Sequence, residues 1–289
     1  NPYDPSLLGE VERAVLPTLS ETIIQWNPPT AFLLTVPFGL LPYQLAQGLW
    51  VCVLVILLAC AIQLTLHFTP RLPSTMPHRL LQLASLLTFF PLWECLRFAQ
   101  ISPFLLVGFV GFLLLRSQSP RSSSKDFWAG VLLSLTLLKP HLLFLVYALL
   151  LIESARTAQV RTLAGLVAGG LALGMFPLLF SPSIWNEYLV ALKDWPSYFQ
   201  TPTLGSWLQA FHSGDPLARF IPSAIALVAT AYIFILRRPA ERYSTLLFSA
   251  LSGFSMVCAP YGWVFDHVLL VPSIALLLCS TRWGPFGGT

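Results

Sequence analysis

The spacing of apolar and polar positions predicts a chain of membrane-spanning helices. Mostly apolar runs of the length that crosses a bilayer's hydrocarbon as a helix occupy residues 43–66, 80–98, 101–116, 162–180, 217–236, 243–258 and 264–281. Short polar stretches separate them, with no internal repeat or low-complexity segment. Residues 126–153 are the exception. Within them, 127–152 is an apolar run of 26 residues whose only charge is Lys139, followed at once by Pro140 and His141. One helix over this run would measure about 39 Å, longer than the roughly 30 Å of hydrocarbon. Two half-length spans would reach only about 24 Å each and would need local thinning or water access. Length alone leaves both arrangements open.

Charge separates them. With a turn at Lys139, the loops at 67–79, 116–125, 153–161, 237–242 and 282–289 share one face. They carry Arg71, Arg79, Arg116, Arg121, Lys125, Arg156, Arg161, Arg237, Arg238, Arg242 and Arg282, which is 11 of the 16 basic residues. The other face holds Arg13, Arg97, Lys139, Lys193 and Arg219 with nine of the twelve acids. Cytoplasmic loops concentrate Lys and Arg, so the second face is assigned outside the cytoplasm. A single span over 127–152 would abolish the bias. Lys139 and His141 are therefore expected at the outer tip of a helical hairpin, within reach of water.

The outer face then gathers residues 1–42, the turn Arg97–Ser102, the loop 181–216 and the turn 259–267, "APYGWVFDH". Four prolines in "WNPPTAFLLTVPFGLLP" (26–42) argue against a full span there and for an amphipathic segment lying along the membrane. The expected fold is all-α, a polytopic transmembrane bundle forming a single integral-membrane domain over 1–289: an outer juxtamembrane segment (1–42), core spans (43–180), an outer loop (181–216) and C-terminal spans (217–289). Composition agrees. The chain of 289 residues is 56% hydrophobic and 10% charged, against about 25% charged in soluble domains. The net charge of +4 resides in short loops and implies no nucleic-acid partner. The five cysteines lack metal-ligand spacing and read as small buried residues.

Candidate chemistry lies on the outer face. Lys139 with His141 suits an anion such as phosphate, although an interfacial lysine can also simply snorkel. In "PLWECLRFAQISP", Glu94 and Arg97 stand three apart and can pair, or Arg97 can take a lipid phosphate; Gln100 follows. Asp266 and His267 enter the last span after Trp263. Asp266 can be a helix cap, and His267 can donate to a phosphate or orient a hydroxyl. Asp4 is the one carboxylate of "NPYDP". No phosphate-binding glycine loop, HExxH or cysteine-rich metal pattern occurs, and no metal or cofactor is expected.

"NPYDP", "WNPPTAFLL", an Ala-Gln turn, "AGVLLSLTLLKPHLLFL" and "PYGWVFDH" in this order resemble the polyprenyl-phosphate-mannose-dependent mannosyltransferases of glycosyltransferase family eighty-seven, in the glycosyltransferase-C superfamily. The resemblance covers nearly the whole chain. It implies a multi-span, inverting enzyme that moves a sugar from a polyprenyl-phosphate donor to a lipid or glycan acceptor on the outer face of a bacterial plasma membrane. An outer-loop aspartate would be the general base, and basic and polar residues would hold the departing phosphate. The family's lysine-proline stretch matches Lys139-Pro140, and its late tryptophan-histidine element matches Trp263 and His267. Its glycine-glutamine turn matches Ala99-Gln100, with alanine in the glycine's place and Ser102 where an asparagine is usual. The substrate-binding set so implied is Lys139, His141, His267, Asp266, Arg97, Gln100, Tyr3, Asn27 and Trp263, with Trp185, Trp195, Tyr198 and Trp207 around a sugar cavity. Such enzymes carry a first span and an Asp-containing stretch before "NPYDP". The sequence opens at Asn1 without them, so Asp4 is a substitute base at best and the chain is expected to be incomplete and inactive alone. Rival readings are a lipid-linked polysaccharide ligase or polymerase, and a secondary transporter. The latter calls for repeats and paired broken helices that the sequence does not display.

Overall fold

The computed structural model describes residues 1–22, 25–68, 83–118, 122–194, 199–212, 214–236 and 244–280. Among them the regular structure is helical: α1 (Pro5–Val15), α2 (Phe32–Gly39), α3 (Tyr43–Phe68), α4 (Phe90–Arg97), α5 (Ser102–Ser117), α6 (Ser123–Ser134), α7 (Phe144–Thr157), α8 (Arg161–Met175), α9 (Ile184–Ala191), α10 (Leu204–Phe211), α11 (Ile221–Leu236), α12 (Thr245–Cys258) and α13 (Val271–Ser280). Three segments are long and apolar enough to cross a membrane: Tyr43–His67, Arg161–Leu179 and Ala218–Leu236, with mean hydropathies of 2.7, 1.8 and 1.9. Local chemistry sets several helix starts. Pro5, Pro91 and Pro103 occupy first turns, where a missing N–H costs nothing. Ser122, Thr203 and Ser244 cap α6, α10 and α12 through their hydroxyls.

Lipid gives helices no hydrophobic drive to associate, so close van der Waals packing must do it. Glycines supply that between α6 and α8. A Cβ on Gly130 would strike the Thr162 carbonyl oxygen, one on Gly165 the Phe127 carbonyl oxygen, and one on Gly169 the Ser134 side chain. Gly170 meets Leu137 in the same way. The partners climb together from 127 to 137 and from 162 to 170, so α6 and α8 run parallel. The chain must therefore return along α7, and it reverses at Lys139. Lys139 leaves the helical region (φ −142°, ψ 73°) between 3-10 turns at Leu135–Leu138 and Pro140–Leu142, because the ring of the following proline disfavours helix at that residue.

Side-chain ties fix the remaining directions. Ser102, Lys139 and Asp266 meet at one end of the bundle. At the opposite end, Arg116 of α5 pairs with Glu153 of α7, its Nη2 lying 2.8 Å from both carboxylate oxygens. Arg156 there donates to the Phe234 and Ile235 carbonyls at 2.6 and 2.7 Å, closing the C-terminal end of α11 with a cation. Helix α5 is the packing centre, burying Leu105, Leu106, Phe109, Val110, Phe112 and Leu113.

Three expectations change. The span at 80–98 is interrupted: 83–87 are helical, Thr88 and Phe89 break the run, and α4 restarts at Phe90; residues 80–82 lie outside the described residues. The span at 264–281 begins as a 3-10 turn, Val264–Leu270, before α13. Helix α2 is apolar around its whole circumference apart from Thr35, so its segment is not amphipathic. Of the eleven basic residues on the proposed cytoplasmic face, Arg71, Arg79, Arg121, Arg237, Arg238, Arg242 and Arg282 lie outside the described residues.

Candidate functional site

The end of the bundle that holds Lys139 collects the candidate residues. Lys139 Nζ lies 2.7 Å from Asp266 Oδ1 and 4.8 Å from the centre of the Phe265 ring. The Ser102 hydroxyl donates to the same oxygen at 2.6 Å, and the Trp263 amide donates to Asp266 Oδ2 at 3.1 Å. One carboxylate thus joins the start of α5, the α6–α7 turn and the turn before α13. The side chains of Lys139 and Asp266 are 9% and 1% exposed. The expectation that water reaches Lys139 is therefore corrected: its backbone sits at the bundle's end, but its ammonium turns inward to a buried carboxylate, since an unpaired charge there would be costly.

His267 is half-buried, with Nδ1 at 3.0 Å from the Trp263 carbonyl. A carbonyl only accepts, so Nδ1 carries the proton and Nε2 is left for another partner. Trp263 stacks on Phe265 (6.0 Å) and meets Phe199 edge-on (5.3 Å). His141 packs against Tyr261 with ring centres 4.0 Å apart.

Arg97, by contrast, is exposed (side chain 72%), 3.5 Å from Glu94 and over the Phe98 ring. Gln100 donates to the Phe98 carbonyl, back into its own turn. Ala99 has φ +49°, the left-handed conformation that closes a helix and favours glycine, and its carbonyl accepts the Trp50 indole at 2.9 Å. Tyr3 is buried against Phe32 and Tyr188 and donates to the Asn27 carbonyl at 2.9 Å; the Asn27 amide donates to Gln25. Asp4 caps α1, accepting from the Ser6 amide and hydroxyl at 2.9 and 2.6 Å, and these bonds hold its carboxyl below the usual range.

The structure thus brings together Lys139, Asp266, Trp263 and His267. Arg97 and Gln100 end α4, which packs on the same turn: Cys95 donates to the Phe265 carbonyl at 3.0 Å. Tyr3 packs on Tyr188 of α9 and bonds the Asn27 carbonyl, while Asp4 is taken up in capping α1. Of the aromatic residues, Trp185 ties α9 to the Gly174 carbonyl, Trp207 faces outward, and Trp195 and Tyr198 lie outside the described residues. Sequence reasoning missed Ser102 as a partner; the signal available was a lone hydroxyl opening an apolar span. An open groove of about 680 Å³ sits at the opposite end, lined by Ser122, Asp126, Gln159 and Arg161 among others, and holds none of these residues. Among the described residues no three His, Cys, Asp or Glu side chains are placed to share a metal ion.

No curated protein and no solved structure gives a significant match to the chain. The family model of glycosyltransferase family 87 matches residues 26–260. That stretch runs from "WNPP" to the Pro260 beside the Lys139–Asp266 end, and the chain belongs to glycosyltransferase family 87.

Proposed function

We propose that this membrane glycosyltransferase moves a sugar, mannose, from a polyprenyl-phosphate donor to a lipid or glycan acceptor on the extracytoplasmic face of a bacterial plasma membrane. The observation that carries the reading is the gathering of cations, imidazole and indole at one end of an apolar bundle. A lipid-phosphate donor has an apolar tail, an anionic head and a sugar, and it needs lipid-facing helices, positive donors at the boundary and an aromatic surface above. In this reading the exposed Arg97 guanidinium and the His267 imidazole meet the phosphate, because the Lys139 ammonium is buried against Asp266. Negative charge grows on the departing phosphate as the glycosidic bond breaks, so fixed donors there favour the transition state over the ground state. Direct displacement by the acceptor hydroxyl inverts the anomeric centre and proceeds in this reading without a metal. Neither Asp4 nor Asp266 suits the base's role, one being a helix cap with a lowered pKa and the other an ion-pair partner. Arg116, Lys125, Arg156 and Arg161, the described basic residues at the opposite end, support the cytoplasmic assignment of that end.

The test is reconstitution of the full-length enzyme in vesicles with radiolabelled polyprenyl-phosphate mannose, a lipid acceptor extract, and nucleotide-linked mannose as the competing donor. Transfer from the lipid donor alone is expected. His267→Ala and Arg97→Ala should each lower turnover by about 100- to 1000-fold with normal membrane insertion. Transfer from the nucleotide sugar, or full activity in both variants, would overturn the reading.

A further inference from the structure

Helix α10 is amphipathic in the opposite sense to a water-soluble helix. Its buried residues are Gly205, Ser206 and Gln209. Its exposed ones include Leu204, Trp207 and Phe211, the last two at 63% and 77% exposure. At 3.6 residues per turn, Leu204, Trp207, Leu208 and Phe211 share one arc about 100° wide, opposite the polar three.

The polar face is committed, so the helix cannot turn its apolar face inward. Ser206 Oγ bonds Thr201 Oγ1 at 2.7 Å. Gln209 accepts from Arg219 Nε at 2.8 Å and donates to the Gly214 carbonyl at 3.1 Å. Gly205 lies so near the carbonyl oxygens of Arg219, Ala259 and Pro260 that a side chain there would collide with backbone.

Arg219 lies in the first turn of the membrane-crossing segment Ala218–Leu236, which fixes the level of α10. It sits where a spanning helix enters the bilayer. Leu217, Phe220, Ile221 and Ile225 are exposed beside it, and only 11% of that segment's most apolar window is buried. The outward apolar surface of α11 therefore continues onto the outward face of α10.

We propose that α10 is seated in the boundary layer of the leaflet at this end of the bundle, with Trp207 and Phe211 among lipid acyl chains. Interfacial helices bury an apolar face to a depth of about 5–10 Å, and Trp concentrates at that level. The bilayer, rather than a protein, is the occupant because the face is continuous with the lipid-facing surface of α11. Trp207 then lies outside the sugar cavity to which the sequence assigned it. The inference does not depend on the identity of the donor.

The test is photo-crosslinking of the full chain with benzoylphenylalanine in place of Trp207, Phe211 or, as control, the exposed Asp215. The vesicles are phosphatidylcholine with radiolabelled acyl chains. Lipid adducts several-fold stronger at 207 and 211 than at 215 are expected. Adducts no stronger than at 215 would overturn the proposal, and so would crosslinking to a second copy of the chain in place of lipid.

Discussion

Removing one partner of the Lys139–Asp266 pair should cost far more than removing both. Lys139→Met leaves a carboxylate at 1% exposure with the Ser102 hydroxyl and Trp263 amide as donors but no cation. Breaking a buried pair from one side typically costs about 3–5 kcal/mol, whereas replacing both charges by uncharged groups of like volume is often neutral. Asp266→Asn strands an ammonium over the Phe265 ring, and a desolvated cation–π contact returns only about 2 kcal/mol. Each single variant should therefore lose about 3–5 kcal/mol of unfolding free energy. The double variant, Lys139→Met with Asp266→Asn, should recover at least about 2 kcal/mol against the sum of the singles. The assay is denaturation in mixed micelles by rising sodium dodecyl sulfate, followed by helical circular dichroism. Single-variant losses under about 1 kcal/mol, or strict additivity, would refute the account, because exposed and independent charges behave that way. Turnover of the double variant then assigns the lysine. Activity returning with stability marks Lys139 as a positioning residue, and a stable but inactive double variant marks its charge as a contact for the substrate.

Glu153→Ala should cost about 3–5 kcal/mol in the same micelle assay, since it leaves the buried Arg116 guanidinium between the Phe112 and Phe248 rings without its carboxylate; a loss below about 1 kcal/mol would contradict the pairing. Ala99→Gly should stabilise the chain by about 1 kcal/mol, read as a raised melting midpoint, because position 99 holds φ +49°. At α1, the Asp4 carboxyl titrates lower in the folded chain than when unfolded, so its capping contribution is present above the unfolded value and is lost as pH falls through the folded one. Exchange of the Ser6 and Leu7 amides, corrected for intrinsic pH dependence, should rise over that acid window, and Asp4→Ala should show the acid rates at neutral pH.

The spans were legible because an apolar run of the right length has few other uses. The reversal at Lys139 was legible twice over, from the basic loops and from Pro140 disfavouring helix at the residue before it. The partner of that lysine was not, since Asp266 lies 127 positions away and a buried charge advertises its need for a counter-charge without naming one. The break at Phe89 escaped because Pro91 can open a helix as readily as it can interrupt one. The direction of Trp207 escaped for a reason peculiar to membranes. Side chains facing lipid and side chains facing the bundle are both apolar, so the sequence marks the helix without marking its inner face, and only the buried Ser206–Gln209 side of α10 reveals which way it turns.

The two buried ion pairs among the described residues sit at opposite ends of one helix, and that arrangement bears on the site. Helix α5 contributes Ser102 to the Asp266 cluster and Arg116 to the Glu153 pair. Fourteen residues separate them, about 21 Å along the axis. Helix α5 is tied at its start to the turns before α7 and α13, and at its end to α7 itself. Sliding it by one residue would move both ends by about 1.5 Å and rotate them by about 100°, which no hydrogen bond of 2.6–2.8 Å would survive. Apolar contacts alone tolerate such slippage, because one leucine replaces another at little cost in lipid. Polar ties at both ends remove that freedom and fix the height at which the turn Trp263–His267 stands above the spans. Motion needed to admit the proposed lipid-borne donor is then left to the elements outside this frame: the exposed Arg97 at the end of α4, and the loop carrying α10, which rests on the Trp263 turn through Phe199 and Thr203.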